Sequence, residues 1–74
     1  MKDFNIDIVS KRIKELRVYN EYSQKQLGEL LGVAQNTVAQ YESGAAKPSL
    51  EIIFKLARVF ETSTDYILGF TDIY

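Results

Sequence analysis

Three side-chain amides, Gln35, Asn36 and Gln40, fall close together in the middle of the chain and are the groups best suited to specific hydrogen bonding. A carboxamide presents a donor and an acceptor side by side, so it can donate to N7 of adenine and accept from its N6 amino group as a bidentate pair. The usual reader of guanine is a charged arginine, and none occurs between residues 34 and 43. Adenine or thymine is therefore the expected base at any position these amides contact. Catalytic chemistry has far less to work with. The chain has no His and no Cys, which removes thiol and imidazole catalysis, disulfides and the usual zinc sites. There is no glycine-rich phosphate loop and no pair of acids on a shared helical face, so neither an enzyme nor a cofactor or metal is expected.

The amides need a helix to carry them, and residues 23–44, SQKQLGELLGVAQNTVAQYESG, supply two. Ser23 can cap the first, with Gln26 three residues later reaching back to complete a capping box and Tyr22 placed to staple onto Leu27. Leu27, Leu30 and Leu31 form an apolar stripe. Gly32 ends the helix, because only a residue without a Cβ enters the left-handed turn cheaply. The second helix has apolar positions at Ala34, Val38 and Tyr41 and ends at Gly44. The side carrying Gln35, Asn36 and Gln40 has little to bury and is expected to face outward, which is the outline of a helix-turn-helix.

Three further helices are expected around this pair. Ile6, Val9, Ile13 and Leu16 recur at helical spacing and predict a helix from about Asp7 to Tyr19, with Asn20 at its end. Pro48 and Ser49 open another, with Ser49 as cap, Glu51 in the first turn and Leu50, Ile53, Leu56, Ala57 and Phe60 as the buried stripe. A short last helix is capped by Ser63, carries Asp65 at its positive end and stops at Gly69. No strand-like alternation occurs. The expectation is an all-α, compact five-helix domain over residues 1–74.

The chain resembles the Cro/repressor-type, lambda-repressor-like helix-turn-helix family. RIKELR at 12–17, SQKQL at 23–27, LGV at 31–33, NTVAQYESG at 36–44, KPSLEIIFKLARVF at 47–60 and DYILG at 65–69 fall in the family's order and spacing. The match covers about residues 8–69. Six blocks in register are far more specific than a lone helix-turn-helix pattern. The resemblance implies that helices 2 and 3 form the motif and that helix 3 reads operator DNA in the major groove. Gln35, Asn36 and Gln40 would touch bases, and Gln24, Lys25, Thr37, Ser43 and Lys47 would hold the phosphate backbone. Gln24 also stands where free N–H groups and the helix dipole favour phosphate. The family pattern further pairs an arginine seven residues before the motif glutamine with a glutamate ahead of the loop, which here are Arg17 and Glu42. The expected protein is a transcriptional regulator, a repressor, acting on double-stranded DNA as a homodimer in the cytoplasm. The alternative is an antitoxin or anti-repressor-like module whose main partner is a protein.

Two departures from the family pattern stand out. Glu21 occupies a position that is usually glycine, so either Asn20 takes the left-handed turn or the connection differs. Gly28 replaces the usual alanine where helices 2 and 3 approach most closely, which points to tight packing. The loop also holds Ala45 and Ala46, which offer no side-chain donors, so loop contacts to phosphate rest on Lys47 and backbone N–H groups.

A net charge of −1 is unusual for a nucleic-acid binder, but it is unevenly placed. Residues 8–58 carry eight basic against five acidic groups, a balance of +3. Lys2, Asp3 and Asp7 at one end, and Glu61, Asp65 and Asp72 at the other, reverse it. No apolar run reaches the ~20 residues that span a bilayer. The tail 70–74 allows two readings. Phe70, Ile73 and Tyr74, with Phe4, Ile6 and Ile8 at the other end, either fold over the single core or form a self-complementary dimer surface.

Overall fold

The computed structural model describes residues 3–74, so Lys2 of the charge balance lies outside it. It is all helical: α1 (Ile6–Tyr19), α2 (Gln24–Leu31), α3 (Gln35–Ser43), α4 (Leu50–Val59) and α5 (Thr64–Leu68). Four of the five begin under a side-chain cap. Asn5 accepts from the Asp7 N–H, and Ser23, Ser49 and Ser63 accept from the N–H groups of Gln26, Ile52 and Tyr66. At α2 both halves of the capping box are made. α1 begins at Ile6, one residue before the expected Asp7, because Asn5 supplies the cap.

α2 packs against α3 and α4, α1 against α3 and α5, and α4 against α5. The shared core holds Val9, Ile13 and Leu16 of α1, Leu27 and Leu31 of α2, and Val38 and Tyr41 of α3. Ile52, Ile53, Leu56, Ala57, Phe60 and Ile67 complete it. Tyr22 is half-buried against this core, its ring 6.3 Å from that of Phe60. Among the described residues no helix is long and apolar enough to cross a membrane.

Several expected positions differ. Leu30 is exposed because α2 turns the side of Leu27, Gly28 and Leu31 inward, which rotates Leu30 off the buried arc. Leu50 has the right angle for the α4 stripe, yet as the first residue of that helix it is 87% exposed. Ile52 takes its place in the core. Ala34 is exposed and serves as the α3 N-cap rather than as an apolar anchor.

The α1–α2 connection resolves against Asn20. Its φ is −88°, and Glu21 takes the left-handed conformation with φ 60°. Asn20 instead turns its side-chain amide back to donate to the Leu16 carbonyl at 2.7 Å. Glu61 repeats the arrangement after α4, with φ 53°. Holding a residue with a Cβ there costs on the order of 1 kcal/mol, and each turn is closed by a backbone bond just beyond it, Tyr22 N–H to the Arg17 carbonyl at 3.1 Å and Thr62 N–H to the Ala57 carbonyl at 3.0 Å.

The tail folds back over its own body, as the first of the two readings expects. Arg12 donates to the carbonyls of Tyr66 and Thr71, the latter at 2.7 Å, and pairs with Asp72 at 2.7 Å. Tyr74 donates its hydroxyl to the Phe60 carbonyl at 2.7 Å. The backbone is thus folded back on the body, while Phe70 and Ile73 remain 74% and 79% exposed.

Candidate nucleic-acid interface

α3 is anchored by Val38 and Tyr41 on its inner side, and Gln35, Asn36 and Gln40 are all exposed. Asn36, Gln40 and Ser43 follow one another at i, i+4 and i+7 along the outer side, with Gln35 one position round the helix. None of the three amides is hydrogen-bonded to another described residue, so their donors and acceptors face solvent. α3 is also the one helix without a side-chain cap.

The base of α3 is fixed by a polar network. Arg17 grips Glu42 through two parallel hydrogen bonds, Nε to Oε2 at 2.6 Å and Nη2 to Oε1 at 3.1 Å. Its remaining nitrogen donates to the Tyr22 carbonyl at 2.9 Å. One guanidinium therefore ties α1, the α1–α2 turn and α3 together. The hydrogen bond and attraction of Glu42 raise the Arg17 pKa despite the opposing effect of burial. Gln24, the first residue of α2, donates to Glu42 Oε1 at 3.2 Å. That bond engages one end of its amide and leaves the carbonyl free.

The other backbone candidates are scattered. Lys25 and Lys47 are exposed, and Thr37 is half-buried. The Ser43 hydroxyl is engaged locally, donating to the Gln40 carbonyl at 3.2 Å and accepting from the Ala45 N–H at 3.3 Å. A cleft of about 300 Å³ brings Gln24, Glu42, Arg17 and Ser43 together with Ala39 and Lys14. Lys14 was not singled out from the sequence. Its spacing of three residues from Arg17 on α1 was the available signal, but only the packing of α1 against α3 gives it meaning.

A family model described as helix-turn-helix matches residues 13–67. The chain belongs to the helix-turn-helix family of Cro/repressor type. Among curated relatives, an uncharacterized HTH-type transcriptional regulator, YobD of Bacillus subtilis, is 39% identical over 82% of this chain and 54% of its own length. The HTH-type transcriptional regulator AnsR of the same organism is 45% identical over 78% of this chain and 50% of its own length. The chain thus spans about half the length of these relatives. Among solved structures, the P22 c2 repressor in complex with a synthetic operator superposes with a TM-score of 0.77 at 28% identity, covering 81% of this chain and 91% of that one.

In this helix-turn-helix the two helices meet at Gly28. A Cβ there would lie 2.7 Å from the Val33 carbonyl oxygen, which is backbone and cannot swing aside. Gly32, with φ 77°, and the Val33 N–H bond to the Gly28 carbonyl at 2.9 Å close the turn. Gly28→Ala should therefore destabilise the domain. The overpacking cost of about 1–3 kcal/mol outweighs the gain of about 1 kcal/mol from alanine's helix propensity. Thermal unfolding measures the balance, and an unchanged or raised Tm would show that the turn yields.

Proposed function

We propose that this chain is a sequence-specific DNA-binding transcriptional regulator, a repressor, that inserts α3 into the major groove of operator DNA as a homodimer. The observation that carries this reading is the outward row of amides on α3, unpaired among the described residues and mounted on a helix braced by Arg17 and Glu42. The operator-bound P22 c2 repressor supports it from the side of the relatives. Gln35, Asn36 and Gln40 read base edges, and Gln24, Lys25, Thr37, Ser43 and Lys47 hold the backbone. The protein is a binding module rather than an enzyme, and double-stranded DNA in the cytoplasm is its target.

One reading helix covers only a few base pairs, so specificity calls for two half-sites about one helical turn apart. Phe70 and Ile73 are the available dimer surface. Phe70 shares a shallow cleft with Phe4, which extends the apolar area to the other terminus. Tyr74 contributes less, because its hydroxyl is already bonded to its own body.

The acidic balance and the Ala45–Ala46 loop favour a second reading, an antitoxin or anti-repressor-like module with a protein partner. Selection of bound fragments from random DNA, followed by gel shift across a salt series, separates the two. The regulator should select two-fold related half-sites, and log affinity should fall linearly with log salt. A flat salt response with no selected sequence would reject DNA as the target.

A further inference from the structure

The C-terminal ends of α1 and α4, together with α5 and the tail, border an open cleft of about 500 Å³, the size of a small-molecule site, to which α2 and α3 contribute nothing. Four of its eight lining residues are aromatic, Tyr19, Phe60, Tyr66 and Tyr74, the last two rings lying 5.4 Å apart and Phe60 being buried in the core beneath. Two carboxylates, Glu15 and Glu61, line the same space. Neither has an ion-pair partner among the described residues. Aromatic faces are negative above the ring, so rings and carboxylates together favour a cation.

One face of the Tyr66 ring is already taken by Arg12, which stacks on it at 4.2 Å, so the rings open to a ligand are those of Tyr19 and Tyr74, 77% and 60% exposed. The charge of Arg12 is met by Asp72 and by two backbone carbonyls.

We propose that this cleft binds a small organic ligand carrying a quaternary ammonium group, seated against the rings of Tyr19 and Tyr74 with Glu15 and Glu61 as counter-charges. The share of aromatic surface selects a methylated ammonium over a strongly hydrated metal ion or bare amine. The site is separate from the reading helix, so it stands or falls independently of DNA binding.

The test is an NMR titration of the full chain with choline and, in parallel, with its neutral isostere 3,3-dimethylbutan-1-ol, at constant ionic strength. Choline should give saturable shifts centred on Tyr19 and Tyr74, and the isostere should bind about tenfold more weakly. Glu15→Gln and Glu61→Gln, both at exposed positions, should each weaken choline severalfold while leaving the folded spectrum intact. Equal binding of the isostere, indifference to both substitutions, or no saturation in the tens-of-millimolar range would each overturn the proposal.

Discussion

Glu42→Ala and Arg17→Ala should each lower the stability of the domain by about 3 kcal/mol. The side chains of Arg17 and Glu42 are only 14% and 5% exposed, so removing one leaves the other largely desolvated. Without Arg17, the carboxylate keeps only the amide of Gln24 at 3.2 Å. Without Glu42, the guanidinium keeps only the Tyr22 carbonyl. We place the cost at the lower end of the range for buried pairs because both residues line an open cleft that water can enter. In a domain this small, 3 kcal/mol corresponds to a fall in Tm of about 12–24 °C. Arg17→Lys should recover only part of the loss, since an ammonium cannot repeat the two parallel bonds. The raised pKa of Arg17 implies stability that is present at every pH below the ordinary guanidinium range and lost only above it. Acid titration should therefore leave the Arg17 side of the pair unaffected. Urea unfolding of the single variants decides the matter, and losses below about 0.5 kcal/mol for both would reduce the pair to an ordinary surface contact.

What could be read in the sequence follows how local each signal is. The cap at Ser23, its capping box with Gln26, and the stops at Gly32, Gly44 and Gly69 involve residues within one turn of each other, and the structure has them in place. Burial was harder at helix edges. Whether Leu30 is covered depends on how α2 is rotated, and that is set by Gly28 letting α3 approach from the other side. Glu21 shows a different limit, for the missing glycine marked the turn but not which residue would adopt it. Arg12 carried no local signal at all. Its partners lie 54 to 60 residues away, so its hold on the tail follows only from the packing of α1 against α5. The Arg17 and Glu42 contact spans 25 residues and was suggested by the family's pattern rather than by any periodicity.

Alanine at Gln35 or Asn36 should cost about 1–3 kcal/mol in operator affinity and loosen discrimination at the contacted base. Both lie in the first turn of α3, where no side chain caps the helix and no described residue competes for their amides. Their exposure means that truncation would remove the proposed hydrogen bonds to DNA without disturbing the core formed by Val38 and Tyr41. Stability and binding are thereby separable, in contrast to Arg17 and Glu42, whose loss should weaken both. The three-amide face also makes a compositional forecast. Amides pair well with adenine and poorly with guanine, so the selected half-sites should be rich in A and T at these positions. Lys25 and Lys47 form the internal control. They are exposed charges with no base-reading geometry, so alanine at either should weaken all sequences about equally and reduce the salt slope by about one unit. Binding assays on a panel of single-base operator variants would distinguish the two patterns. If folded Gln35→Ala and Asn36→Ala proteins kept the wild-type base preference, specificity would have to come from another surface, and α3 would lose its role as the reading helix.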